Sequence, residues 1–310
     1  MTAIAVNNGM PPSYKKIGLV AVYFGPWPEW TPLFFESCRW NPSIDWFLFA
    51  DHDPDSPPPP NVHLTIIDFG RYKQRAEDTL QVAIPSWDPY KLCDIRPMFG
   101  VIHADELAGY HYFGWCDLDV VFGDIRRFYD SAVLRHLVVS SHEERIAGHF
   151  TLIENSDEGR HLFERVANWR ILVGKEKYCG LDEVAFSTLF LGPWPGHRWK
   201  SRIMRNFRPL WWRSQFQEQY STPYFNRPWT DGTWHHPDEW YWREGKLTNN
   251  RNGDRQFLYL HFMNFRSSRY RIPRFGLKAP WESLANVNHV DHSAIESGFK
   301  IGPYGFAPLG

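Results

Sequence analysis

The chain has 310 residues, and its 34 Lys and Arg against 35 Asp and Glu leave a formal charge of −1. That length can bury a substantial core, as one large domain or as a domain with an extension. The charge balance gives no electrostatic ground for a nucleic-acid partner, and no run reaches the ~18 apolar residues of a membrane span.

Residues 1–14 read as a disordered leader without the apolar stretch of a secretory signal. Residues 17–24 form a continuous apolar run closed by Gly25-Pro26, the pattern of a buried strand. A helix is expected over 30–41, with Thr31 as cap and Pro32 at its first position. A second strand over 45–51 ends on Asp51. After a Pro/Asp loop holding four consecutive prolines, a third strand spans 62–68. Residues 89–107 look helical, with Pro97 as a kink. The run 111–117 is a further strand, 137–141 another, 159–172 a helix and 182–191 a short helical segment. Residues 211–253, rich in Trp, Pro, Asn, Asp and Gly, should be irregular with short hairpins, and 256–262 is a late strand. From residue 273 on the chain reads as a surface-hugging tail.

Strands that alternate with helices predict an α/β fold, a mainly parallel sheet flanked by helices. Ligands of such sheets bind beyond the carboxyl ends of the strands, where Asp51, Asp117 and Asp119 fall. The segment Trp115-Cys116-Asp117-Leu118-Asp119-Val120-Val121-Phe122-Gly123-Asp124 carries the strongest chemical signal. Two carboxylates one residue apart at a strand end suit a divalent cation, and Mg²⁺ is commonly held by one or two carboxylates together with substrate phosphates. Asp124, five residues beyond Asp119, reads as a turn or helix-cap residue. His261 follows an apolar run; its imidazole could complete a Mn²⁺ shell, against the plainer reading of a core histidine. Arg255, Arg266 and Arg269 around it supply guanidinium forks for phosphate. Lys91 and Asp94, three apart on one helical face, read either as a surface ion pair or as donor-recognition residues. Asp182-Glu183 offers a base for an acceptor hydroxyl or a carboxylate for developing positive charge, although acids at a helix start are favoured by the dipole alone. Cys38, Cys93, Cys116 and Cys179 lack C-x-x-C spacing and read as reduced thiols of a cytoplasmic protein.

Taken in order, Val22-Tyr23-Phe24-Gly25, Ser37-Cys38-Arg39-Trp40-Asn41-Pro42, the strand ending at Asp51, Pro89-Tyr90-Lys91-Leu92-Cys93-Asp94 and the Asp117/Asp119 segment resemble a bacterial group of GT-A-type glycosyltransferases. The resemblance spans about residues 15–195, with a weaker echo at His261. It implies a GT-A-like catalytic core over 15–205, completed by an aromatic-rich region over 206–310. It also implies a hexosyltransferase-like, nucleotide-sugar-dependent activity, with a UDP-sugar the favoured donor and a glycan or lipid-linked molecule the acceptor. Mn²⁺ or Mg²⁺ would bridge Asp117, Asp119 and His261 to the diphosphate. Val22, Tyr23, Phe24 and Asp51 would contact base or ribose; Lys91, Asp94, Arg96, Asp117 and Arg266 would complete the donor site; Asp182 and Glu183 would be catalytic. The 148–155 and 180–183 segments are similar in order to those of retaining galactosyltransferase/glycogenin-type enzymes. In those enzymes the late His is followed by Gly and Lys, whereas here Arg266 stands in place of Lys and the Gly is absent. The Trp-rich stretch 211–242 is a candidate acceptor groove, since Trp pairs an apolar face with a hydrogen-bonding edge. The expected location is cytoplasmic, at the inner face of the membrane if the protein associates peripherally. Two other classes fit parts of the pattern. Asp117-Leu118-Asp119-Val120-Val121 matches a haloacid-dehalogenase-like nucleophile motif, implying a Mg²⁺-dependent phosphohydrolase, and the Trp content alone would suit a non-catalytic glycan-binding protein.

Overall fold

The computed structural model describes residues 14–193, 198–270, 278–284, 295 and 297–309. The expected leader, except Tyr14, lies outside the described residues.

Seven strands form one sheet: β1 (Ile17–Tyr23), β2 (Ile44–Ala50), β3 (Val62–Ile66), β4 (Tyr112–Cys116), β6 (Val138–Ser140), β7 (Phe150–Glu154) and β8 (Ser214–Phe216), in the order β3-β2-β1-β4-β7-β6-β8. β1 pairs in parallel with β2 and β4, β2 with β3, and β6 with β8. β7 is antiparallel to both β4 and β6, so it alone runs against the rest. The fold is α/β with a mixed, mostly parallel sheet. β1 is apolar throughout because both its faces are covered. Val20 packs into one core with Phe49, Phe113 and Trp115, whereas Leu19 and Ala21 pack into the other with Trp46 and Leu48.

The first helix, α1 (Thr31–Arg39), begins at Thr31, the expected cap, one residue before the expected first position Pro32. Trp30 occupies the cap position, and the Thr31 hydroxyl turns back to donate to the Pro28 carbonyl. A helix unsignalled in the sequence reading, α2 (Phe69–Leu80), follows β3. Asp68 caps it by accepting from Arg71 N, and only Tyr72, Ala76 and Leu80, spaced by four, are buried. The helix expected over 89–107 is instead a 3₁₀ stretch (Pro89–Met98) followed by one α turn (Phe99–Ile102). Pro97 supplies no N–H, which disfavours a continuous α ladder. The helix expected over 159–172 is likewise broken into short turns.

The tail reading is corrected. β9 (Trp240–Arg243), β10 (Lys246–Asn249), β12 (Phe299–Gly302) and β13 (Gly305–Pro308) form a second, antiparallel sheet in the order β10-β9-β12-β13. Trp281, Phe299, Ile301 and Phe306 are buried in its core beside Trp229, Trp240 and Trp242. Apolar residues of the last forty positions therefore close a core; residues 271–277 and 285–294 lie outside the described residues. A two-stranded ribbon joins this part to the main sheet's acidic end. In it β5 (Val120–Phe122) pairs antiparallel with β11 (Tyr259–His261), setting Val120 opposite His261.

Candidate functional site

A cleft of about 900 Å³ opens beyond the ends of β1 and β4. The chain passes from β1 to β2 on one side and returns to β4 on the other, so the cleft sits at a topological switch point, the usual ligand position in an open α/β sheet. Val22, Tyr23 and Phe24 line it from β1, and Asp117 and Asp119 from the end of β4 and the start of β5. Asp117 is fixed by its own N–H, which donates to the His149 carbonyl at 3.2 Å, and Asp119 by its carbonyl, which accepts from Phe262 N at 3.2 Å. The β5–β11 pairing therefore brings His261 and Arg266 to acids well over a hundred residues earlier.

Carboxylate oxygens of Asp117 and Asp119 and a ring nitrogen of His261 all lie within 4.8 Å of one another. His261 Nε2 faces Asp119 Oδ1 at 3.4 Å, and its Nδ1 lies 3.3 Å from the Thr222 hydroxyl. When Nδ1 donates to Thr222, Nε2 turns a lone pair on a carboxylate, an arrangement that a cation between them satisfies. Two carboxylates and one imidazole suit Mn²⁺ or Mg²⁺. Two guanidinium groups also face these acids: Arg96 donates to Asp117, and Arg266 Nη1 donates to Asp119 Oδ2 at 2.7 Å. Burial pushes up the carboxyl groups of both acids. For Asp119, His261 and Arg266 outweigh it and hold the group below the usual carboxylate range. For Asp117, burial prevails over Arg96 and the group is raised.

The opposite wall is a turn of π-helix, Leu181–Ala185. Gly180 enters it at φ +73°, a left-handed conformation that favours glycine. Asp182 is buried there. It accepts from Tyr178 Oη at 3.0 Å and from Arg96 Nη1 at 3.3 Å, and burial raises its pKa to about 8. Arg96 thus bridges Asp117 and Asp182, and also donates to the Gly148 carbonyl at 2.6 Å. Glu183 is more exposed. It accepts from Gly148 N at 3.2 Å, an approach open only because residue 148 has no Cβ, and Arg145 stands 3.8 Å away.

The structure places three candidates elsewhere. Lys91 and Asp94 do not form a surface pair; both are fully buried behind the wall and neither lines the cleft. Asp94 accepts from Leu181 N at 2.7 Å and Cys179 N at 3.0 Å, so the pair anchors the turn that presents Asp182. Asp51 is exposed outside the cleft lining, where it accepts from Gly25 N and His52. Asp124 caps a short helix by accepting from Arg127 N at 3.2 Å. The stretch 211–242 reaches the cleft through Thr222 and Phe225 and not through its tryptophans: Trp229, Trp240 and Trp242 are core residues, and Trp30 is the tryptophan among the cleft's lining residues. Trp30, Arg145 and Tyr178 face the cleft without having been signalled. Each stands alone in the sequence, with no spacing that marks it. All four cysteines are free thiols.

A family model described as "Family of unknown function (DUF6625)" matches residues 19–278. The chain belongs to that family. No curated protein matches the sequence. Among solved structures, the chain is similar to the apo-form glycosyltransferase GlyE of Streptococcus pneumoniae TIGR4, with 13% identity, 52% of this chain and 42% of that chain covered, and a TM-score of 0.28. It is also similar to mouse xyloside xylosyltransferase 1 in its apo form, with 8% identity, 67% and 86% coverage, and a TM-score of 0.34. The chain thus spans less than half of GlyE. At TM-scores this low neither likeness carries weight beside the geometry of the cleft.

Proposed function

We propose that this member of the family is a metal-dependent glycosyltransferase of GT-A type that moves a sugar from a nucleotide-sugar donor, a UDP-sugar by preference, to a glycan or lipid-linked acceptor. One observation carries the reading: Asp117, Asp119 and His261 converge with Arg96 and Arg266 at the β1/β4 switch point of a cleft with room for a nucleotide and a sugar. Asp117, Asp119 and His261 would hold Mn²⁺ or Mg²⁺, which as a Lewis acid would offset charge on the departing diphosphate. Arg266 is placed to turn from Asp119 to a phosphate oxygen. Val22, Tyr23 and Phe24 offer an apolar and aromatic wall for base and ribose. Glu183, partly exposed on the facing wall, is the better placed of the two acids to meet an acceptor hydroxyl. Asp182, buried against Arg96 and Tyr178, positions that wall. Reduced thiols agree with a cytoplasmic setting, and no described helix is long and apolar enough to cross a membrane.

Calorimetric titration with a panel of UDP- and GDP-sugars in Mn²⁺ tests the reading. Binding to at least one donor that is lost in EDTA and in Asp119→Ala is expected. Undiminished metal-dependent binding in that variant would sink the assignment.

A further inference from the structure

Between residues 199 and 213 the sequence runs Trp-Lys-Ser-Arg-Ile-Met-Arg-Asn-Phe-Arg-Pro-Leu-Trp-Trp-Arg, with Lys200, Arg202, Arg205, Arg208 and Arg213 and no acid. In a chain of formal charge −1 this is a strong local excess. The same stretch exposes large apolar side chains: Trp199 at 66%, Ile203 at 54%, Phe207 at 76% and Trp212 at 68%. Single exposed apolar residues are ordinary, but a cluster of this kind marks an interaction surface.

Local structure draws the four together. Trp199 and Ile203 are one turn apart on the helix Arg198–Met204 and share a face. Phe207 comes one turn later in the 3₁₀ turn Arg205–Phe207, and the Trp212 indole donates to the carbonyl of neighbouring Asn206 at 3.2 Å. Ser201 and Leu210 are buried beneath, so the exposed residues are held on a formed support. Acids outside the stretch reach some of its cations: Glu143 lies 3.8 Å from Arg202 and 4.0 Å from Arg205, and Glu158 takes Arg213 at 2.7 Å. Glu143 also binds Arg227 and Glu158 also binds Arg165, so neither neutralises the stretch.

We propose that residues 199–213 dock on an anionic lipid surface. The four apolar side chains enter the boundary between headgroups and acyl chains, and the cations meet lipid phosphates. Aromatic residues interleaved with Arg and Lys match that boundary, where an apolar body must sit beside a charged tip. A nucleic acid would engage the cations but leave Ile203 and Phe207 in water. The surface is tied to the cleft, since Glu143 precedes cleft-lining Arg145 by two residues. Resting on the transferase reading, this points to a lipid-linked acceptor rather than a free glycan; the docking itself needs no such premise.

Sedimentation of the full chain in EDTA, without donor, with phosphatidylcholine vesicles with and without phosphatidylglycerol tests the proposal. Partitioning onto anionic vesicles should be about tenfold or more stronger and should weaken with salt. Trp199→Ser/Phe207→Ser/Trp212→Ser and, separately, Lys200→Glu/Arg208→Glu should each lower it about tenfold while far-UV circular dichroism stays unchanged. Should the first variant misfold, the second, made at half-buried cations outside the apolar core, carries the reading alone. Equal or absent sedimentation with the two vesicle types overturns the proposal, as does retention by single-stranded RNA without retention by vesicles. Vesicle binding that persists where no UDP-sugar binds leaves the docking intact and removes the transferase reading alone.

Discussion

Two pairs of a basic side chain with an aspartate, Lys91–Asp94 and Arg266–Asp119, are left in opposite states. Lys91 and Asp94 are closed. The ammonium donates to Asp94 at 2.8 Å and to the Leu172 and Lys177 carbonyls at 2.9 and 3.3 Å, which uses its three N–H groups. Asp94 in turn accepts from two backbone N–H groups as well as from Lys91. Arg266 and Asp119 are open: the Arg266 side chain is 41% exposed, His261 stands beside the carboxylate, and the cleft lies in front. A saturated pair has no capacity left for a ligand and serves the fold. An unsaturated one keeps its charges available for exchange.

The sharpest test of the contrast is Lys91→Met. It leaves Asp94 buried and uncompensated, which should cost about 3–5 kcal/mol of stability in denaturant melts. Where the variant remains folded, donor affinity should stay near wild type. A loss below about 1 kcal/mol would mean that the pair is not the anchor of the 179–182 turn. Asp119→Ala should behave in the opposite sense. It should reduce metal-dependent donor binding by about 100-fold or more, beyond what changing a supporting residue usually costs, and lower the melting temperature far less than Lys91→Met.

The sequence distinguished these two pairs poorly, and the reason is physical. Lys91 and Asp94 are local, three residues apart, and spacing cannot tell a buried pair from an exposed one. What closes theirs are carbonyls and amides some eighty residues later. Asp117 and Asp119 were legible because an apolar strand ending in D-x-D is a local pattern, and His261 and Arg266 because both follow another such strand. That β5 and β11 pair, bringing the two groups together, is a long-range fact absent from either segment. β1, β2 and β4 could be read from continuous apolar runs. α2 could not, since it buries only Tyr72, Ala76 and Leu80 in an otherwise polar stretch. The C-terminal strands were missed because their apolar residues are spread among Gly, Pro and polar positions, and β12 joins the sheet through β9, some sixty residues earlier.

A smaller effect concerns Asp182, the buried acid on the facing wall. Its folded pKa of about 8 lies above the ordinary carboxylate value of 3.8, because burial disfavours the charged form. The folded state therefore keeps a proton that the unfolded chain has released, and the stability tied to this group falls as pH rises from about 4 through about 8. Asp182→Asn does not titrate; its one carbonyl oxygen can still accept from Arg96 while its NH2 donates to the Tyr178 hydroxyl oxygen. In EDTA, its melting temperature relative to wild type should rise across that window and level off above it. A difference that is flat with pH would show that Asp182 is already ionised in the folded protein.

The smallest effect is the most informative about the open pair. If Arg266 holds Asp119 only until a metal arrives, the two cations compete for one carboxylate. Arg266 also lies 4.4 Å over the Trp30 ring, which gives it a resting place near the cleft once released. Arg266→Ala should then tighten Mn²⁺ binding in the absence of donor by up to about fivefold, the worth of one exposed ion pair. It should weaken donor binding in the presence of metal, because the phosphate loses its guanidinium. A closed pair cannot give opposite signs in two titrations, since removing its cation only strands its acid. Parallel weakening of metal and donor would mean that Arg266 orders the acids rather than competes for them, and the Asp119 pair would then be structural in the same sense as Lys91–Asp94.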